Sequence, residues 1–308
     1  MDINILITQI TILFLILLLG YVIYKAKMVD DNFVSKFTRL ILDITSPALI
    51  LSSVLNLTER QKLSDVLTAF AIAFALFFVV LPIVGYVLAR VLRVKKNQRG
   101  LYTYMTTFSN VGFMGFPVIS AISGPVGLFY AAIFNLVFSL SAYTLGVFII
   151  SQDSSEKTKF NINQLLTPGF IIIASSIFIY FLNIKPPALI CDAVEMVGSI
   201  TPPAAMLIIG CMLAKSDIKT VFNDWRLYPW IVIKQIVIPL LLWYPFNLII
   251  KNELLLTVAF VLFAMPVGNV AALFSASCGA DEELAARAIF LTTLFSVLTV
   301  PLCVWLVM

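Results

Sequence analysis

Apolar runs of about 20 residues, the length that a helix needs to cross roughly 30 Å of hydrocarbon, recur along the whole chain between short polar gaps. The runs lack the period-2 alternation of barrel strands, so they indicate helices. We therefore predict an all-α integral membrane protein with about ten transmembrane helices. The predicted spans are 4–24, 37–55, 66–89, 100–122, 126–150, 164–182, 188–213, 227–250, 254–277 and 284–307.

The composition requires lipid as the solvent. Hydrophobic residues make up 61% of the chain and charged residues 12%. Too few polar side chains remain to cover a water-soluble surface, so the lipid bilayer is the first expected partner. No basic residue precedes the first apolar run, whose lysines follow it as Lys25 and Lys27. We expect this run to be a retained first helix rather than a cleaved signal peptide.

Basic residues are concentrated in alternate loops. One set of loops carries Lys25, Lys27, Lys36, Arg39, Arg90, Arg93, Lys95, Lys96, Arg99, Lys157, Lys159, Lys215, Lys219, Arg226 and Arg287, whereas the other set carries Arg60, Lys62, Lys185 and Lys251. Positive residues favour the cytoplasmic side. We predict a multi-pass protein of the cell (inner) membrane with both termini on the extracytoplasmic side. The net charge of +4 reflects this bias, and no nucleic-acid partner is expected.

The missing residue types exclude several chemistries. The chain has no histidine and four cysteines without CxxC spacing, so no His-dependent triad or zinc site is available. We expect free core thiols, no metal, no cofactor and no enzymatic activity. An aspartyl intramembrane protease would need two aspartates at membrane depth, and only Asp43 lies well inside a span.

The two halves of the chain resemble each other in sequence. The letters TSPA at 45–48 return as TPPA at 201–204, and NV at 110–111 returns at 269–270. Ordered matches at nearly constant spacing predict that spans one to five are repeated by spans six to ten. Because five is odd, the second copy enters the membrane from the opposite side. We predict inverted repeats over 1–150 and 164–308, joined by a cytoplasmic linker at 151–163.

Helix-breaking residues occur at corresponding places in the fourth and ninth spans. These are Asn110, Gly112 and Pro117 in the first repeat and Pro266, Gly268 and Asn269 in the second. Within lipid a helix is interrupted only at a buried, cavity-lining site. We predict that the two broken helices cross near the bilayer midplane and direct their half-helix N-termini at a substrate carboxylate, with the asparagines as hydrogen-bonding partners. The alternative is a packing kink with asparagines that tie helices together.

Two ionisable residues within spans are further candidates. Asp43 is a candidate carrier of a proton or sodium ion, since ionisable groups at this depth usually serve function; the alternative is an interfacial carboxylate near Arg39. Lys234 is a candidate partner of the substrate carboxylate; the alternative is a lysine that snorkels to the cytoplasmic interface. Asn135, in the fifth span, is a further candidate cavity residue.

The segments SNVGFMGFPV, MPVGNVAALFSASCGAD and LTTLFSVLTVP resemble the auxin efflux carrier family, and the resemblance covers essentially the whole chain. That family includes plant PIN carriers and bacterial malate or malonate permease-like proteins, and it shares a crossover fold with bile acid/sodium symporters. The resemblance implies a scaffold of spans one, two, six and seven, and a mobile transport domain of spans three to five and eight to ten that moves like an elevator. Scaffold surfaces would meet the crossover at Thr45, Pro47, Thr201 and Pro203, and a homodimer would form through the scaffold helices.

The resulting functional expectation is a secondary transporter or uniporter of small organic anions, including mono- and dicarboxylates or auxin-like acids. A sodium-coupled carrier like the bile-acid symporters and a non-transporting membrane sensor that uses the same pocket are the alternatives. A channel is disfavoured because a midplane site between inverted repeats suits alternating access.

Overall fold

A computed structural model describes residues 3–57, 60–153, 167–182, 184, 186–215, 221–222 and 224–307. In these residues the regular structure is helical, apart from one isolated antiparallel bridge between Ser109 and Val267. The main helices are α1 Ile3–Lys25, α2 Asp31–Leu55, α3 Leu63–Val91, α4 Arg99–Thr107, α5 Val111–Ser151, α6 Pro168–Leu182, α7 Ala188–Lys215, α8 Leu227–Ile249, α9 Glu253–Ala264, α10 Val270–Cys278 and α11 Glu282–Val307.

Seven of the described helices are long and apolar enough to cross a membrane, and α6 and α9 are shorter apolar helices. The prediction of a multi-span, all-α membrane protein is thereby confirmed for the described part of the chain. The predicted fourth span is divided between α4 and the beginning of α5, and the ninth between α9 and α10. Within α5 the chain turns at Gly124, whose φ is 59°. Most of the predicted linker 151–163 lies outside the described residues.

One end of the bundle, which we call the basic end, is held by polar contacts between α2, α7, α4 and α11. Lys215 Nζ lies 3.0 Å from Asp31 Oδ2. Gln98, just before α4, donates from Nε2 to Asp281 Oδ2 at 2.8 Å. The starts of α4 and α11 therefore lie together at the basic end.

The opposite end of the bundle has its own pair of contacts. Asn56 Nδ2 donates to Glu195 Oε2 at 2.8 Å, and Asn252 Nδ2 donates to Asp65 Oδ2 at 2.7 Å. Asn252 also caps α9 by accepting from the Leu254 and Leu255 N–H groups. Since α4 begins at the basic end and α9 at the opposite end, the two helices approach the middle of the bundle from opposite directions.

Widened π-helical turns precede four prolines. The turns Ile41–Thr45, Leu76–Val80, Val111–Gly115 and Ile233–Val237 end two residues before Pro47, Pro82, Pro117 and Pro239. A proline has no N–H for the carbonyl four residues earlier, and its ring clashes with that carbonyl. The wider turn lets the helix continue. The expected helix break at Pro117 itself is therefore not found: the interruption lies earlier, between α4 and α5.

An aromatic cluster anchors this interruption. Phe77 of α3 packs against Phe108, Phe138 and Phe263, with ring centroids 6.2, 5.5 and 5.7 Å away. Ser141 of α5 also donates its hydroxyl to the Phe77 carbonyl at 2.8 Å. Because these rings are buried and interlocked, α3, α5 and α9 hold the interrupted segment in place.

Helix α1 packs along the second half of α7 through two glycines. A Cβ at Gly20 would overlap the Leu207 carbonyl, and one at Gly210 would overlap the Leu17 carbonyl. Small residues of this kind let membrane helices approach at backbone distance. This contact and the Lys215–Asp31 pair join α1, α2 and α7 into one packed unit.

Candidate substrate-binding site

Two helix interruptions lie side by side in the middle of the bundle. The first spans 108–110, between α4 and α5, and the second spans 265–269, between α9 and α10. Asn110 N donates to the Pro266 carbonyl at 2.7 Å, and Gly268 N donates to the Phe108 carbonyl at 3.1 Å. These bonds form the antiparallel bridge between Ser109 and Val267. We call this arrangement the paired breaks.

Gly268 favours this close approach. A Cβ at position 268 would lie 3.3 Å from the Ser109 carbonyl oxygen and 3.5 Å from that of Phe108. The first distance is tighter than ordinary van der Waals contact, so a larger residue would require the two main chains to shift by a few tenths of an ångström. The glycine that the sequence predicts as a helix breaker thus also lies at the pairing of the breaks.

Lys234 of α8 reaches the paired breaks from behind. Its side chain is 2% exposed, and Nζ donates to Ser109 Oγ at 3.0 Å and to the Met265 carbonyl at 2.9 Å. Met265 follows the C-terminus of α9, where the helix dipole favours a cation. Among the described residues no carboxylate lies within 4.0 Å of this ammonium. The lysine is buried at the breaks, so the alternative that it snorkels to an interface is wrong.

A second layer of hydrogen bonds fixes the other side of the paired breaks. Val267 N donates to Thr292 Oγ1 at 3.1 Å, and the neighbouring Gln235 donates from Nε2 to the Thr292 carbonyl at 2.8 Å. Cys303 donates from Sγ to the Gln235 carbonyl at 3.2 Å. Helices α8 and α11 thus hold the second break from the side that faces away from α2.

A cavity of about 250 Å³ borders the paired breaks on the side of α2, α6 and α7. Its walls come from α2, both breaks, α5, the start of α6 and Met212 of α7. The polar side chains that line it are Thr38, Asp43, Ser46, Ser109, Asn110, Asn135, Ser139, Tyr143, Thr167 and Asn269. Asp43 is the one acidic residue among these described lining residues, and it is half-buried within a π-helical turn.

Three asparagines line the cavity, and their side chains make different contacts. Asn110 is 6% exposed and caps α5, because its Oδ1 accepts from the Phe113 N–H at 3.1 Å. Asn269 directly precedes α10, and its Nδ2 donates to Met212 Sδ at 3.5 Å, a weak acceptor. Asn135 is buried across from Gly112, where a Cβ would lie 3.6 Å from its Oδ1. The Asn110 and Asn269 amides thus lie at the starts of two helices that meet at one cavity.

The predicted site residues divide into two groups. The cavity lining contains Asp43, Asn110, Gly112, Asn135, Gly268 and Asn269. Outside that lining lie Thr45, Pro47, Pro117, Thr201, Pro203, Lys234 and Pro266. Within this second group Pro203 is exposed, and the hydroxyls of Thr45 and Thr201 are buried without a hydrogen-bond partner among the described residues.

Some lining residues were not singled out from the sequence. Ser109 stands directly before Asn110 in the same polar interruption, so its position was a usable signal. Three of them are far from the breaks in sequence: Tyr143 lies near the far end of α5, Thr167 directly before α6 and Met212 in α7. No local pattern marks them, because their approach to the cavity depends on tertiary packing.

Comparison with known proteins agrees with this description. The family described as "Membrane transport protein" matches residues 5–166 and 155–304. An uncharacterized transporter of Methanocaldococcus jannaschii is 24% identical over 96% of this chain and 97% of its own length. An uncharacterized transporter of Methanothermobacter thermautotrophicus is 21% identical over 96% of each chain. The chain therefore belongs to the membrane transport protein family, the family of the auxin efflux carriers.

Proposed function

We propose that this chain is a secondary carrier that moves small organic anions across the cell membrane, with the substrate bound in the cavity beside the paired breaks. The observation that carries the proposal is the meeting of two helix starts, each with an asparagine, next to a buried lysine. Helix N-termini hold N–H groups without intrahelical partners and positive partial charge. A carboxylate is the ligand that this combination fits best.

The size of the cavity favours a short acid. Pockets for drug-sized ligands occupy about 300–1,000 Å³, and this cavity has about 250 Å³. The polar lining offers amide and hydroxyl groups for a second oxygen-bearing group. Mono- and dicarboxylates with short carbon chains are therefore the proposed substrate class.

Asp43 supplies a reason for ion coupling. Its side chain lines the same cavity in which the anion is proposed to bind. Two negative charges within a site of this size repel each other, and a proton or sodium ion at Asp43 removes the repulsion. Anion binding and cation binding then favour each other, as linkage requires. We propose cotransport of the anion with a proton or sodium ion at Asp43.

The proposed mechanism is an elevator-like movement that alternates between an inward-facing state and an outward-facing state. The proposed architecture is ten spans in two inverted repeats, with the linker between them in the cytoplasm and both termini outside. The cavity supports this scheme because its walls come from α2, α6 and α7 on one side and from the breaks and α5 on the other. The first group belongs to the proposed scaffold and the second to the proposed transport domain, so the site lies where the two would slide.

Counterflow in liposomes tests the proposal. Purified protein is reconstituted, and liposomes are loaded with each member of a panel of unlabelled mono- and dicarboxylates. Transient accumulation of the same labelled acid identifies a carrier, because a channel supports no counterflow. Binding without any flux would instead assign a sensor. Absence of both binding and flux across the panel would refute the proposed substrate class.

A further inference from the structure

A second polar pocket lies at the basic end of the bundle, away from the paired breaks. It has a volume of about 570 Å³ and lies between the end of α3, the start of α4 and the end of α5. Three cationic side chains line it: Arg90, Lys96 and Arg99. Asp153 is the one acidic residue among its described lining residues. The pocket therefore has an excess of positive charge.

The carboxylate of Asp153 is already engaged by the main chain. Its two oxygens accept from Gly100 N at 2.8 Å and from Leu101 N at 2.7 Å, in the first turn of α4. In the described part of the chain the ion pairs are Lys215–Asp31 and Arg287–Glu283. The cations of the pocket thus have no described carboxylate within 4.0 Å, and they are free to bind an added anion.

The two arginines are held in place by contacts at the pocket rim. The Arg90 guanidinium lies 4.3 Å from the centroid of the Tyr86 ring, which fits a cation–π contact. Arg99 donates from Nε to the Val94 carbonyl at 3.1 Å, so its terminal N–H groups remain for another acceptor. Guanidinium groups positioned in this way suit the oxygens of a phosphate.

The rest of the pocket wall is apolar and continues onto the lipid-facing surface. Pro82, Ile83, Leu145 and Ile149 line the pocket, and the neighbouring α3 surface is open, with Ile83 57% and Val87 50% exposed. A soluble anion would gain nothing from this wall. A molecule with an anionic head and apolar chains would use both parts.

We propose that this pocket binds the head group of an anionic phospholipid. The phosphate lies among Arg90, Lys96 and Arg99, and the acyl chains follow the exposed apolar face of α3. Because α4 begins in the wall of this pocket and ends at the first of the paired breaks, the lipid contacts the helix that leads into that break.

The test is a binding titration of the purified full-length chain in neutral detergent, read by native mass spectrometry. The probes are short-chain phosphatidylglycerol, short-chain phosphatidylcholine and inorganic phosphate. The site variant is Arg90→Gln/Lys96→Gln. The matched control is Arg93→Gln/Lys95→Gln, which removes two charges from the segment between α3 and α4, next to Arg90 and Lys96, but from residues that do not line the pocket.

We expect saturable binding of phosphatidylglycerol to the wild type that is at least tenfold tighter than that of phosphatidylcholine. Each basic residue near a lipid head group contributes about fivefold in affinity, so the site variant should bind about 25-fold more weakly. The affinity of the control variant for phosphatidylglycerol should stay within about twofold of that of the wild type. Equal losses of lipid affinity in the site variant and the control would show that the lipid responds only to the overall positive charge of this end, and would overturn the proposal. Inorganic phosphate that binds as tightly as the lipid would assign the pocket to a soluble anion instead.

The result is independent of transport. If no carboxylate is transported but the lipid binds, the lipid pocket stands and the proposed transport function fails. If carboxylates are transported but the lipid does not bind, the proposed function stands and the lipid pocket fails. The melting temperature of the site variant serves as the folding control. A variant that unfolds is replaced by Lys96→Gln alone, whose exposed side chain has no hydrogen bond to lose among the described residues.

Discussion

Replacement of Lys234 by methionine is the sharpest test of the proposed anion site. Methionine has nearly the length and volume of lysine without its charge. Since the ammonium is buried and lacks a described carboxylate partner, removal of its charge leaves no opposite charge stranded. The variant loses the hydrogen bonds to Ser109 Oγ and to the Met265 carbonyl, at about 1–3 kcal/mol, but it also removes the larger desolvation cost of a buried ammonium. Lys234→Met should therefore fold, and any loss of binding should come from the site itself.

The expected loss follows from the geometry at Ser109. Its hydroxyl accepts from Lys234 Nζ at 3.0 Å, donates to the Phe263 carbonyl at 3.5 Å and lines the cavity. The donated bond is long, so a substrate carboxylate can take it over. A second hydrogen bond adds about 3 Å and puts the carboxylate oxygen about 6 Å from the ammonium. At an effective dielectric constant of about 20 the attraction is about 2.8 kcal/mol. That corresponds to an affinity loss of about a hundredfold.

The assay is calorimetric titration of the tightest-binding acid from the carboxylate panel, together with its neutral amide analogue. Lys234→Met should weaken binding of the acid about a hundredfold, whereas the amide should change by less than about fivefold because it carries no charge for the lysine to attract. Lys251→Met is the matched control, because Lys251 is exposed and precedes α9 at the opposite end of the bundle. The affinity of Lys251→Met for the acid should match that of the wild type.

Two results would refute this reasoning. Wild-type affinity of the acid in Lys234→Met would show that the ammonium does not act on the substrate. Equal losses for the acid and the amide would show that the variant distorts the paired breaks rather than removing a charge.

Three further predictions follow from the site and its surroundings. Asn269→Ala should weaken anion binding about 10- to 100-fold with an unchanged melting temperature. Asn110→Ala should weaken binding by the same factor and also lose about 1 kcal/mol of stability, because the Asn110 Oδ1 caps α5. Wild-type affinity in both variants would show that these asparagines do not bind the anion. Asp43→Asn should keep anion binding and lose the dependence of uptake on the proton or sodium gradient, and persistence of that dependence would assign Asp43 a structural role. Burial raises the pKa of the Asp153 carboxyl. The wild type should therefore lose stability relative to Asp153→Asn as pH rises from the ordinary carboxyl pKa of about 3.9 through the raised pKa. Melting temperatures of wild type and variant that change in parallel across this pH range would contradict the prediction.

The helices and the polar interruptions were predictable from sequence because both are local. A run of apolar residues fixes a membrane helix by its length alone, and Asn110 and Asn269 stand out because polar residues within such runs are rare. The exact position of the first break was less predictable. Pro117 is the strongest helix breaker nearby, yet a π-helical turn before it absorbs the missing hydrogen bond and leaves the break to Ser109 and its neighbours.

The position of Lys234 could not be predicted with the same certainty. In sequence it is 125 residues from Ser109 and 31 from Met265, the two residues to which it donates. Its closeness in sequence to Arg226 left an interfacial side chain open beside the role at the substrate, and only the packing of α8 against the breaks decides that it is buried. The cavity residues Thr167 and Met212 were hidden for the same reason, since their neighbours in space belong to other helices.

The bridge between Ser109 and Val267 consists of main-chain hydrogen bonds, and main-chain bonds do not depend on which side chains are present. Substitutions in the two breaks can therefore change what the cavity recognises while the pairing persists, provided that Gly268 stays small. Insertions and deletions are a different matter. One added residue in either break would shift the register of the bridge and displace the adjacent residues that line the cavity, Ser109 and Asn110 or Gly268 and Asn269. Evolution of substrate choice in this architecture is therefore open to point substitution and closed to changes in the length of either break alone.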